Sequence, residues 1–290
     1  PSIRNYIVAT AHEYGIDKKV QFGLRTTKAD WCSRERHWVV TARHEASGET
    51  RTFTARFVVG ATGYYDYDQG FRPRFPGEER FKGRCVHPQH WPEDLDYTGK
   101  KVVVIGSGAT AVTLVPAMAG TAAHVTMLQR SPSYILSLPA IDRLTEVLAR
   151  VLPSSWAFAL ARKRNIMIQR TLYQACKRWP TLMRRLLLAL VRTQVGPGVD
   201  MRHFTPKYMP WDERLCAVLS GDLLHALRDG RASIETDEIE TFTETGIRLK
   251  SGKELEADII ITATGLKLQM LGGMELSVNG ALRALNPSPY

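Results

Sequence analysis

Gly106, Gly108 and Ala111 stand in a GxGxxA pattern within the segment Val102-Val-Val-Ile-Gly-Ser-Gly-Ala-Thr-Ala111. A β-branched run precedes them, and Ser107 to Met118 reads as a helix. A strand–turn–helix setting is the one in which this pattern serves a dinucleotide. Gly106 permits the tight turn, Gly108 lets backbone approach a pyrophosphate, and Ala111 lets the helix pack close to the strand. The N–H groups of Ser107, Ala109, Thr110, Ala111 and Val112 then open the helix toward the phosphates. A plain tight turn is the other reading of the same residues. The following strand ends in Leu128-Gln-Arg130-Ser131. An NAD site usually carries Asp or Glu at that place, to bind ribose hydroxyls. A guanidinium there pairs with a 2′-phosphate, and Ser131 adds a hydroxyl donor, so the pattern points to NADPH. The alternative for Arg130 is an ordinary solvated side chain.

A longer motif lies just upstream. Phe81-Lys-Gly83-Arg-Cys-Val-His87-Pro-Gln-His-Trp91-Pro92 reads as FxGxxxHxxxWP, and two Ala-Thr-Gly turns stand at 61–63 and 263–265. On these residues the chain resembles the type I Baeyer–Villiger monooxygenases of the flavin-containing monooxygenase superfamily, over residues 2–273. The resemblance implies two cofactors, FAD and NADPH, and O2 as co-substrate. It implies oxidation of a small ketone to an ester or lactone, or oxygenation of the sulfur of a sulfide or thioamide.

The same resemblance assigns residues. Arg214, in Met209-Pro-Trp-Asp-Glu-Arg214, is the match to the active-site arginine that stabilises developing negative charge. An ion pair of Arg214 with Asp212 or Glu213 is the other reading. Glu213 stands where many relatives carry a lysine. Thr26 matches a strand position near the flavin adenine. His87 and Trp91 belong to a linker between nucleotide domains and are kept out of the chemistry. The flavin site's own GxGxxG, its following Glu and a Gly-Gly-Thr-Trp segment have no match in the chain, and the tail beyond about residue 273 departs from the pattern. The resemblance therefore implies an internal fragment of a longer enzyme. A catalytically inactive, truncated NADP-binding module is the alternative.

The elements needed to position these groups define an α/β fold. Strands alternating with helices argue a parallel sheet. Residues 2–14 read as a helix, and 19–24, 37–43, 51–60, 101–105 and 123–128 read as strands. Helix, strand, hairpin and strand return from Gly221 to Thr262, and the last 25 residues show no pattern. The organisation read from this is a partial FAD-binding domain at 1–80 and the fingerprint linker at 81–99. A Rossmann-like NADPH-binding domain follows at 100–257, with a helical insertion at 139–200, and 258–290 returns to the flavin domain.

Length fits about two domains, at 290 residues. The 44% hydrophobic and 23% charged content excludes a disordered tail or a collagen-like chain. Cysteines 32, 85, 176 and 216 form no CxxC pair and no metal-ligand spacing, as expected of reduced thiols in a cytoplasmic protein. The net charge of +10 is concentrated: 141–195 holds eleven basic residues and two acidic ones. The segment reads as amphipathic helices broken at Pro153 and Pro180. A solvated basic face, peripheral attachment to an anionic membrane and nucleic-acid binding are its three readings. No nucleic-acid motif accompanies the charge, so no nucleic-acid partner is expected.

Overall fold

Val102 to Ile105 form an apolar run of strand length, and such runs are the mark of parallel strands covered on both faces. In the computed structural model, which describes residues 2–213 and 215–283, that run is the central strand of a five-stranded sheet. Its strands are β1 (Arg84–Val86), β2 (Lys101–Ile105), β3 (His124–Gln129) after helix α1 (Ala109–Met118), and two later ones. Between them the chain makes β4 (Tyr134–Leu138), α2 (Arg143–Val151), α3 (Ser154–Arg178), α4 (Pro180–Val195), β5 (Leu215–Leu219) and α5 (Asp222–Arg228). It closes with β6 (Ala232–Thr236), the antiparallel β7 (Ile239–Thr243), β8 (Gly246–Leu249) and β9 (Glu254–Glu256), and then β10 (Ile259–Thr262). The sheet order is β6-β3-β2-β10-β1, parallel throughout.

Side-chain alternation divides β2 and β10 between two cores. Val102, Val104, Ile259 and Ile261 pack with Val115, Met118, Leu223 and Leu224 of the helical side. Val103, Ile105 and Ile260 pack with Phe242, Ile247 and Leu249 of the β7–β9 sheet. Val103 and Ile260 are fully buried, and each such side chain contributes roughly 1.5–3 kcal/mol relative to exposure. The α/β class with a Rossmann-type parallel sheet is thus the observed one. The helical segment breaks where the prolines require: Pro153 precedes α3, and Pro180 opens α4, where its missing N–H costs nothing.

Contacts divide the chain into two units, 70–265 and 2–69 with 266–283. The fingerprint segment 81–99 and strand β10 go with the first of these, because β1 and β10 are ladder partners. The other unit carries a sheet of Leu24–Cys32, His37–His44, Thr50–Ala55, Glu275–Val278 and Ala281–Leu282. Leu24–Cys32 pairs in parallel with Glu275–Val278 and antiparallel with His37–His44. The strand read at 19–24 begins instead at Leu24, and its polar residues (Arg25, Lys28, Asp30) hid it. Strand 275–278 was hidden in the same way: a four-residue strand has no period of its own and is held by a distant partner. Helix Ser2–Glu13 forms as read. Among the described residues no helix is long and apolar enough to cross a membrane.

Candidate functional site

β2 runs into Gly106, whose φ of +130° lies in the region that favours glycine. Its N–H donates to the Leu128 carbonyl at 2.8 Å. A Cβ at Gly106 would lie 2.3 Å from the Ala263 carbonyl oxygen, at the end of β10. Gly108 precedes α1 in extended conformation, and a Cβ there would meet nothing within 4 Å. The fold does not need glycine at that point. The absent side chain instead leaves the backbone bare at the N-terminus of α1. Ala109 and Thr110 are exposed in the first turn, whereas Ala111 and Val112 are buried and fix α1 against the sheet.

β3 brings up the second part. Gln129 is buried, and its amide donates to the His203 carbonyl at 2.7 Å and to Thr236 Oγ1 at 2.8 Å. The end of the strand is therefore pinned, and Arg130 and Ser131 leave it into solvent. Both line one cavity of about 490 Å³ with Gly106, Ser107 and Gly108. Among the described residues no ion pair holds Arg130.

Residues outside the sequence assignment complete that cavity: Phe71, Phe75, Asp237, Glu238, Thr264 and Gly265 among them. The Ala263-Thr-Gly265 turn was a visible signal for the last two. Asp237 and Glu238 had none, because only the β6–β3 pairing sets them beside Arg130. The Asp237 N–H donates to the Gln129 carbonyl at 3.0 Å. Ser251 holds the Asp237 carboxyl below its usual range, and Lys250, 2.6 Å from Glu238, does the same for Glu238. Both are anionic at neutral pH.

Thr26 lies in the other unit. It sits where the register of Leu24–Cys32 against His37–His44 shifts, and lines a separate cavity of about 430 Å³ with Arg25, Val58 and Asp68. Arg214 lies outside the described residues. Of the two carboxylates named as its possible ion-pair partners, Asp212 is held by Lys177 of α3 at 2.8 Å, which lowers its pKa.

His87 is fixed by both ring nitrogens. Nδ1 accepts the Gln89 N–H at 3.2 Å, which leaves Nε2 to carry the proton and donate to the Gly265 carbonyl at 3.2 Å. Only the neutral ring satisfies both partners, and burial lowers its pKa in the same sense. With its lone pair engaged, the ring has no free site for a general base. Trp91 meets Tyr97 edge-on, ring centroids 6.5 Å apart, and packs on the helical-side core.

An α/β protein whose larger unit carries a Rossmann-type parallel sheet with a glycine turn at the C-terminal end of its central strand is the class these features define. The chain belongs to the flavin-binding monooxygenase-like family, whose sequence model matches residues 1–273. It is 66% identical over 284 residues to MymA of Mycobacterium tuberculosis, covering 97% of this chain and 57% of that protein. It is 51% identical over 280 residues to the FAD-containing monooxygenase EthA of the same organism, covering 96% and 57%. The chain thus spans little more than half the length of these curated relatives. A cyclohexanone monooxygenase crystal structure with bound ε-caprolactone shares the fold at a TM-score of 0.74 and 19% identity, over 96% of this chain and 61% of that one.

Proposed function

We propose that the chain is the NADPH-binding part of an FAD- and NADPH-dependent monooxygenase. On this reading the whole protein uses O2 to convert a small ketone to an ester, or to oxygenate the sulfur of a sulfide or thioamide. The observation that carries it is the cavity in which the bare backbone of Gly108, the N-terminus of α1 and the side chains of Arg130 and Ser131 face one space. The residues fit the nucleotide: an open cradle for a pyrophosphate and a guanidinium for a 2′-phosphate. Bound NADPH supplies a hydride, and this chain's residues hold and orient it. Arg214 is assigned the electrostatic role on family grounds.

For FAD the described residues fit only one edge. The cavity around Thr26 suits an adenine end, and among the described residues of that unit no strand leads through a glycine turn into a helix. The flavin chemistry is therefore a property proposed for the longer protein. Relatives named as FAD-containing and neighbours crystallised with FAD and NADP support it.

A second reading concerns the coenzyme. Asp237 and Glu238 line the same cavity, and carboxylates are the residues that bind the ribose hydroxyls of NADH. Titration of the 290-residue chain with NADPH and with NADH, with flavin absorbance recorded as isolated, decides. Saturable NADPH binding with weaker NADH and little flavin is the expected result. NADH binding as tight as NADPH would overturn the coenzyme assignment. Neither nucleotide binding to a folded chain would overturn the site.

A further inference from the structure

The basic helical segment exposes apolar side chains that its own core does not use. Helix α2 buries none of its residues. Its apolar stripe, Leu144, Val147 and Val151 at helical spacing, faces solvent, with Val151 78% exposed. Arg143 and Arg150 flank that stripe. On α3, Trp156, Leu160 and Met167 share one face with Lys163 and Arg170, and Trp156 is 66% exposed. On α4, Leu182, Leu186 and Leu190 stand out beside the buried ridge of Met183, Leu187 and Val191. α2 packs on α3, and α3 on α4.

A purely solvated basic face would present polar side chains outward. This one presents a tryptophan, leucines and a valine between cations. From these observations we infer that α2–α4 form a surface for an anionic lipid bilayer. Lys and Arg reach headgroup phosphates while their stems and the neighbouring apolar groups enter the acyl boundary, and Trp favours that interface. Charge argues for lipid over a second copy. The segment holds nine of the chain's ten excess positive charges, so a second copy meeting it face to face would set like charge against like charge. Of its two acidic residues, Asp142 is already paired with Arg164. The inference goes beyond the proposed function and does not depend on it.

The test is flotation of the 290-residue chain with vesicles of phosphatidylcholine alone, and of two parts phosphatidylcholine to one of phosphatidylglycerol, at low salt and at roughly 0.5 M salt. Flotation with the anionic vesicles only, reduced by salt, is expected. The double variant Lys163→Glu/Arg170→Glu should lower the bound fraction about tenfold or more. Trp156→Ala/Met167→Ala should remove the part of binding that survives salt. Circular dichroism verifies that each variant is folded. Absence of flotation, equal flotation with neutral vesicles, or indifference to both variants would overturn the inference. So would mass measurement showing that a second copy covers these residues before lipid is added, or tighter binding to a nucleic-acid duplex than to the vesicles.

Discussion

The Gly106 Cα faces the carbonyl of Ala263 so closely that a methyl group would sit 2.3 Å from its oxygen. Two strands that are neighbours in the sheet, β2 and β10, thus meet at their C-terminal ends with backbone against backbone. Gly106→Ala should therefore lower the melting temperature as well as weaken NADPH binding. Gly108→Val meets open space and should leave the melting temperature nearly unchanged. It should still abolish saturable NADPH binding, since the added side chain fills the cradle. Thermal melts and titrations of both variants check this contrast. Equal loss of stability in the two would sink it.

Arg130 shares its cavity with two carboxylates, so it must supply the attraction for a 2′-phosphate against their charge. Arg130→Ala should weaken NADPH about tenfold or more while leaving NADH nearly unaffected. Glu238→Gln should change the ratio in the opposite direction. Calorimetric titration with both coenzymes reads the ratio directly.

His87 presses on the main chain at Gly70, where a Cβ would come within 2.0 Å of its Cε1. Gly70→Ala should consequently displace the ring and destabilise the larger unit. The pH dependence has a defined sign. Burial lowers the His87 pKa from 6.5, so the unfolded chain binds the proton more readily. Stability should fall as pH drops below about 6.5 toward the native value. Buried His203 adds to the same trend, so the slope should be reduced, not removed, in His87→Gln. Urea midpoints between pH 7.5 and 5 provide the measurement.

Asp142 caps α2 through the Thr145 N–H and pairs with Arg164, which together lower its pKa to about 2. Its native pKa lies below the unfolded one, so its stabilising effect is complete above about 4 and is lost as pH falls toward 2. Asp142→Asn should loosen α2 at neutral pH without altering nucleotide affinity. Faster amide exchange in 143–151 is the expected signature.

The parts of the fold that were legible in the sequence are those with local causes. The β2 run, the glycine turn, helix α1 and the proline breaks of the helical segment each declare themselves within a few residues. Hidden elements depend on partners far along the chain. β4 and β5 are a parallel pair joined across the helical segment, and each is held by the other rather than by a sequence neighbour. The site divides in the same way. Gly106, Gly108, Arg130 and Ser131 come from one βαβ stretch and meet in one cavity. Asp237 and Glu238 reach it only through strand pairing. Thr26 belongs to a second cavity, in the other unit.

The larger unit is a continuous stretch set into a discontinuous one, and its two ends meet: the Phe71 N–H donates to the Gly265 carbonyl at 3.1 Å. Strands Leu24–Cys32 and Glu275–Val278 pair across that entire excursion. In an open chain such a pairing would carry the loop-closure entropy of the whole intervening segment. Once 70–265 is folded its ends are already side by side, and the closure reduces to a short gap. Prior folding of the larger unit therefore lowers the entropy cost of pairing these two strands.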